Sequence, residues 1–325
     1  MSQSVMRPSD QRYRVWIDGP VPDIEMPADV DLVGSRAGAE AAIVGASEPW
    51  GDAACRRLPD LKVVVRRGIG FDNVDVAACA AHGVAVCNAP DAPTISTAEH
   101  ALMLLLAVSK RLKPAERRLR DGDGLVGTPA SVGGLELDGR TLGLIGCGRI
   151  GRRLGAYAEA LGMQVLAHDP HLDVAPVGRL VELTEIWSAA DVVSLHAPAT
   201  TATRHLVDAT SLAAMRPGVV IINCARGALV DHDALLAAVE SGQVAGAGLD
   251  VTDPEPLPAD HPLLHRDDVV VTPHVASATT AGTDRLVTQA LAQALEWLRG
   301  GSPEYLLDPA AADPAVDRRL RARID

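Results

Sequence analysis

Cysteine is scarce in this chain: Cys55, Cys79, Cys87, Cys147 and Cys224 are the five present, with no C-x-x-C pair. An odd number without paired spacing argues against a disulfide or zinc framework and fits the reduced thiols of a cytoplasm. Aromatic residues are few, at 2% of the chain. The core must therefore be built from Ala, Val and Leu. Long apolar runs are missing: the longest, Ala101 to Val108, has 8 residues. Crossing a bilayer takes roughly 18. The opening stretch Met1 to Arg14 lacks the apolar segment of a secretory signal. Positive charge is in deficit, 30 Lys and Arg against 42 Asp and Glu, for a formal net charge of −12. Nucleic-acid binders carry the opposite balance or a dense basic stripe. The one basic cluster, Lys110 to Arg120, is broken by Pro114 and Glu116 and reads as a solvated helix face. These absences predict a soluble cytoplasmic protein with no membrane or nucleic-acid partner and no metal.

What is present is ordinary globular composition, 47% apolar and 22% charged over 325 residues, a length that suggests about two domains. Short Val- and Ile-rich runs predict strands at Tyr13–Ile17, Ala42–Val44, Lys62–Val65, Val84–Cys87, Thr141–Ile145, Gln164–Ala167, Val192–Leu195, Val219–Asn223, Ala245–Leu249 and Val269–Val271. Alanine-rich helical stretches lie between many of them, including Val74–Ala81, Ile150–Ala160 and Ala234–Glu240. A last helix, Thr283–Leu298, carries Leu286, Ala290, Ala294 and Leu298 as its predicted apolar stripe. Strands alternating with helices predict an α/β fold with parallel sheets buried on both faces. The prolines of Ala89-Pro-Asp-Ala-Pro93 and the segment Pro273 to Ala278 mark two boundaries. They predict a middle domain inserted into a discontinuous outer one.

The strand Thr141–Ile145 runs into Gly146-Cys-Gly148-Arg149-Ile150-Gly151, which opens a helix. In such a fingerprint the first glycine permits the turn, the second lets backbone approach a pyrophosphate, and the third lets helix and strand pack closely. Asp169, 18 residues past Gly151, ends the next strand, where a carboxylate can accept hydrogen bonds from a ribose. The bland reading of Asp169 is a turn residue before Pro170. Together these features predict dinucleotide binding. His168 and His171 flank the same turn and read as turn residues rather than a metal pair.

Arg226, Glu255 and His274 each follow a predicted strand, and ligands of open α/β sheets bind outside the carboxyl ends of strands. A histidine beside a carboxylate serves as an acid or base near neutral pH, and an arginine fork suits a carboxylate. Singly, each has a plain structural explanation; three at one crevice predict chemistry. Cys224 reads as a small buried wall of a nicotinamide pocket rather than a nucleophile.

Over residues 40 to 310 the chain resembles the D-isomer-specific 2-hydroxyacid dehydrogenases. The resemblance is carried by Arg67-Gly-Ile-Gly-Phe-Asp-Asn-Val-Asp75, Asn88-Ala-Pro90, Thr97-Ala-Glu-His100, the glycine fingerprint, Leu195-His-Ala-Pro198, Asn223-Cys-Ala-Arg-Gly-Ala-Leu-Val-Asp231, and the Glu255 and Pro273-His274 segments. It implies a flavodoxin-like substrate domain from residues 1–91 and 280–325, with a Rossmann NAD-binding domain inserted at 92–279. It implies that Arg226 binds and polarises a small 2-oxo acid, that His274 moves the proton and that Glu255 orients it. Arg149, Ile150, Asp169, Ala197, Pro198, Cys224, Asp250 and Ser277 stand at cofactor-contacting positions of the family. Backbone N–H groups of Ile69 and Gly70 stand where the substrate carboxylate is held, and Arg66 stands where phosphoglycerate dehydrogenases bind phosphate. Asp91-Ala-Pro93 departs from that branch, and an acid there would repel a phosphate. Phe71 and Cys87-Asn88 resemble the C-terminal-binding-protein branch, which implies as alternative an NAD-sensing adaptor with little turnover. The family also implies a homodimer through the Rossmann domain.

Overall fold

In the computed structural model, residues 12–122 and 133–307 are described. Most of the stretch read for a secretory signal, and the end of the range 280–325, lie outside them. Contacts divide the chain into two units, one of residues up to Pro93 and from Ala278 onward, the other Thr94–Ser277.

The first unit is a five-stranded parallel sheet of β1 (Tyr13–Ile17), β2 (Val30–Leu32), β3 (Ala41–Val44), β4 (Val63–Arg66) and β5 (Ala85–Asn88), in the order β2-β1-β3-β4-β5. This is the flavodoxin-like order, and it reverses between β1 and β3. The central strands are apolar because both of their faces are covered. One face packs on the last helix, Thr280–Leu298, through Val287, Ala290, Leu291, Ala294 and Leu295. The other packs on the short helices Asp52–Arg57 and Val76–Ala81, where Cys55 and Cys79 bring their Sγ atoms to 3.8 Å. Of the stripe read as Leu286, Ala290, Ala294 and Leu298, the last three face this core, Leu298 from its rim, and Leu286 is corrected here: it is only partly buried and stands outside the cluster. A strict i+4 series drifts about 40° per step, whereas the i, i+3, i+4, i+7 set from Val287 stays on one face.

The second unit holds β6 (Thr141–Ile145), β7 (Gln164–His168), β8 (Arg179–Leu180), β9 (Val192–Leu195), β10 (Val219–Asn223), β11 (Val244–Leu249) and β12 (Val269–Val271). Its seven-stranded order is β12-β11-β10-β9-β6-β7-β8, every pair parallel. Counted from β6, this is the Rossmann order, with β12 added at one edge. The fold is thus α/β with two all-parallel sheets. The helix Thr94–Ser109 buries Ala101, Leu104, Leu105 and Val108 in one core with Leu154 and Ala158 of the helix Arg149–Ala160. Gly246 and Gly248 of β11 make room for it, since an added Cβ would come within 2.8 Å of Val108 and of Leu104 respectively. The basic stretch forms the helix Leu112–Arg120, which has no buried residue, as its charge pattern suggested. Lys113 Nζ reaches the carbonyls of Arg266 at 2.5 Å and Val269 at 3.0 Å. No helix among the described residues is long and apolar enough to cross a membrane.

Candidate active site

The sharp turn after β6 is built from glycine for reasons visible in its contacts. Gly146 has φ +89°, and a Cβ there would lie 2.7 Å from the His196 carbonyl carbon and 2.8 Å from Ala197 N. A Cβ on Gly151 would lie 2.2 Å from the Gly146 oxygen. Gly148, by contrast, faces open space within 4 Å. It starts the helix Arg149–Ala160, whose N-terminus no side chain caps. Asp169, just past β7, accepts from Cys147 N and from His171 N, each at 3.0 Å. It is both the turn residue of the bland reading and a carboxylate braced against the glycine loop. A closed turn, an uncapped helix N-terminus beside an open face, and an acid past the second strand fit the pyrophosphate and ribose of a dinucleotide.

Burial holds the Cys147 and Cys224 thiols in their protonated form. Burial, then the nearby Asp169 charge, pushes Cys147 up to about 11, and burial pushes Cys224 up further. His196, two residues past Ser194 and 2.9 Å from its hydroxyl, is pushed down to about 4 by burial. Among the described residues no group of three or more His, Cys, Asp or Glu is arranged to hold a metal.

Past the carboxyl ends of β11 and β12, His274 Nδ1 lies 2.6 Å from Glu255 Oε1. The histidine sits at φ +52°, an uncommon conformation for a non-glycine residue. Its loop is held there: His274 N donates to the Asp250 carbonyl at 2.7 Å and to Thr272 O at 3.0 Å. The Asp250 side chain, 1% exposed, accepts from Thr272 Oγ1 at 2.6 Å and from Val275 N and Ala276 N at 2.9 Å each. Burial alone would push this carboxyl up, but hydrogen bonds from His100, Thr272, Val275 and Ala276 outweigh it and hold it low. Both Asp250 oxygens, at a position the resemblance gives to the cofactor, thus serve the loop that carries His274. Ser277 follows that anchored segment directly. Nε2 of His100 stands 2.9 Å from Thr272 Oγ1 and 3.3 Å from Asp250. Reading the sequence missed this support, although His100 lies in the matching stretch Thr97-Ala-Glu-His100.

Arg226 precedes a single 3-10 turn, Gly227–Leu229. A Cβ on Gly227 would fall 2.0 Å from the Thr252 carbonyl, so only glycine lets the arginine loop abut the segment leading to Glu255. Arg226 Nη1 donates to Ala225 O at 2.7 Å, and Asn223 Nδ2 fixes the Arg226 carbonyl at 2.9 Å. Pro198 is exposed and gives its carbonyl to Thr203 at 2.6 Å.

In the first unit, Gly68 takes φ +134°, and the Arg66 guanidinium folds over it to donate to the Arg67 carbonyl. Asn88 Nδ2 donates to Ile69 O at 2.7 Å, which steadies the Ile69-Gly70 backbone. Asp91 is engaged by Gln289 at 3.0 Å and by the Tyr305 hydroxyl.

Comparison with known proteins agrees with this geometry. Residues 102–276 match the model of the "D-isomer specific 2-hydroxyacid dehydrogenase, NAD binding domain". The D-3-phosphoglycerate dehydrogenase of Mycobacterium leprae is 40% identical over 319 residues, covering 94% of this chain and 56% of the relative. The (S)-sulfolactate dehydrogenase of Chromohalobacter salexigens is 39% identical over 260 residues, 78% of this chain and 83% of the relative. The crystal structure of TT0316 from Thermus thermophilus superposes with a TM-score of 0.82 at 36% identity, covering 91% of this chain and all of that one. The chain belongs to the D-isomer specific 2-hydroxyacid dehydrogenase family and carries its NAD-binding domain. It spans about half the length of the phosphoglycerate dehydrogenases it matches.

Proposed function

We propose that the protein is an NAD-dependent dehydrogenase of small D-2-hydroxy acids, interconverting them with 2-oxo acids. The observation that carries this reading is the His274–Glu255 pair, 2.6 Å apart and buttressed by Asp250 beside the ends of β11 and β12. When bound, the nicotinamide supplies the hydride to C2 or accepts it. Arg226 binds the 2-oxo acid and draws electron density toward its carbonyl oxygen. His274 gives that oxygen its proton, or takes the proton from the hydroxyl in the reverse direction. With Nδ1–H on the Glu255 carboxylate, Nε2 is the nitrogen left to face substrate. Ile69 and Gly70 would hold the substrate carboxylate through backbone N–H groups. Asp169 would accept from ribose hydroxyls and repel a 2′-phosphate, which favours NAD over NADP. A homodimer through the NAD-binding unit belongs to the same reading, supported by the exposed Met103, Leu112 and Leu119.

The test is cofactor oxidation, with NADH and NADPH in parallel, against glyoxylate, hydroxypyruvate, pyruvate, 2-oxoglutarate and phosphohydroxypyruvate. Turnover with NADH exceeding that with NADPH is expected. His274→Ala should lower kcat/KM by about 10² to 10⁴, the range for general acid catalysis, with NADH affinity little changed. Glu255→Gln should lower it as well. Tight NADH binding with silence on every acid would overturn the enzyme reading and favour an NAD-sensing adaptor.

A further inference from the structure

We propose that Arg67 forms an oxyanion subsite in the first unit, taking the second anionic group of a 2-oxo or 2-hydroxy acid. This rests on the dehydrogenase reading above and narrows its substrate class to acids with a carboxylate, phosphate or sulfonate at the far end. The order β2-β1-β3-β4-β5 reverses between β1 and β3, and ligands of open α/β sheets bind outside the carboxyl ends of strands at such a reversal. Asp18-Gly19 after β1, Gly45 after β3 and Arg66-Arg67 at the end of β4 converge there. Arg67 N donates to Val44 O at 2.9 Å, which extends the pairing of β4 with β3 by one residue. Its side chain then crosses the neighbouring loops: a Cβ on Gly19 or on Gly45 would each lie 3.6 Å from Nη2. Glycine at both places keeps the guanidinium approachable.

Arg66, Arg36 and Asp18, the charged groups beside Arg67 among the described residues, are each engaged. Arg66 donates to the Arg67 carbonyl, Arg36 pairs with Glu48 at 2.8 Å, and Asp18 accepts from Gly45 N at 3.1 Å. The Arg67 guanidinium makes no side-chain hydrogen bond or ion pair among the described residues. It is partly buried, and burial pulls its pKa down, with only the Asp18 charge acting in the other direction. A partly buried cation without a side-chain acceptor is an arrangement that a bound oxyanion improves. Asp18 limits the charge the subsite tolerates but lies beyond ion-pairing distance of Arg67. Gly68, Ile69 and Gly70 follow directly in the chain, and in this proposal the 2-oxo-acid carboxylate sits on their N–H groups with the far anionic group on Arg67.

Two measurements on wild type, Arg67→Gln and Arg67→Lys test this. In the first, inorganic phosphate is titrated into the protein and followed by calorimetry. Saturable binding is expected in wild type, about 10- to 100-fold weaker in Arg67→Gln, the worth of one charge-assisted hydrogen bond, and intermediate in Arg67→Lys. In the second, kcat/KM is compared for pyruvate, which has one anionic group, and for 2-oxoglutarate, phosphohydroxypyruvate and sulfopyruvate, which have two. Arg67→Gln should lower the value for the best doubly anionic acid about 10- to 100-fold while that for pyruvate changes less than about 3-fold. Equal phosphate affinity in wild type and Arg67→Gln would overturn the subsite. Phosphate binding lost without a change in selectivity would overturn its assignment to substrate. Silence on all four acids would count against the dehydrogenase reading, while the phosphate titration would still decide for or against the Arg67 site. If Arg67→Gln fails to fold by circular dichroism, Arg67→Lys carries the comparison, with a smaller loss expected and no loss overturning the proposal.

Discussion

Between pH 7 and pH 5 the stability of the protein should fall partly because of one histidine. His196 is pushed down to about 4 by burial, against about 6.5 for an unperturbed imidazole. In this window the unfolded chain takes up a proton that the folded protein refuses. Stability contributed by the neutral form is therefore complete above pH 6.5 and is lost as the pH falls toward 4. Integrating the linkage relation between pH 7 and pH 5 gives a loss of about 2 kcal/mol from this residue. His232 is also held low, first by burial and then by His261, so it adds a loss of the same sign. His196→Gln isolates the first contribution, because the amide can still meet the Ser194 hydroxyl but cannot titrate. Urea unfolding of both proteins at pH 7, 6 and 5, followed by far-UV circular dichroism, measures the gap between them. Wild type should lose about 2 kcal/mol more than the variant over that range. A gap that stays constant with pH would refute a buried neutral His196.

Two further outcomes follow from the same loops. Gly151→Ala places a methyl group 2.2 Å from the Gly146 oxygen. NADH affinity, read by fluorescence titration, should fall by at least about 10-fold while the circular dichroism spectrum is retained. Asp250→Asn puts an amide N–H₂ where one of Thr272 Oγ1, Val275 N and Ala276 N now donates. It should cost about 1–3 kcal/mol in urea unfolding and lower kcat through misplacement of His274; unchanged stability and kcat would show that the network does not hold the loop.

Elements with a strong local pattern were legible in the sequence. β6, β9 and β10 run over the predicted spans because parallel strands buried on both faces read as unbroken apolar runs, and the edge strand β12 does so because all three of its residues are valine. The edge strand Val30–Leu32 was not, since only Val30 of its three residues is buried. The two-residue β8 and the helices Asp52–Arg57, Leu183–Ala189 and Ala209–Ala214 are too short to show a period. Glu255 and His274 were readable as partners because both follow strands and stand only 19 residues apart. His100 meets Thr272 across 172 residues, and no local pattern announces such a contact. In the Arg66-Arg67 doublet the resemblance singled out Arg66, but nothing local told that its guanidinium would turn back onto the Arg67 carbonyl. Successive residues leaving a strand point to opposite faces, so the sheet decides which way each arginine points.

The burial of the thiols turns them into clocks. All five are buried, and Cys79, pushed up to about 12 chiefly by burial beside Cys55, offers almost no thiolate to a reagent at neutral pH. Alkylation of the native protein must therefore wait for the core around each sulfur to open. Cys55, Cys79 and Cys87 lie in the first unit, Cys147 and Cys224 in the second. Labelling rates read cysteine by cysteine from peptide masses would time the opening of each unit separately in a single sample. Bound NADH should slow the second pair more than the first three, by the factor its concentration over Kd sets.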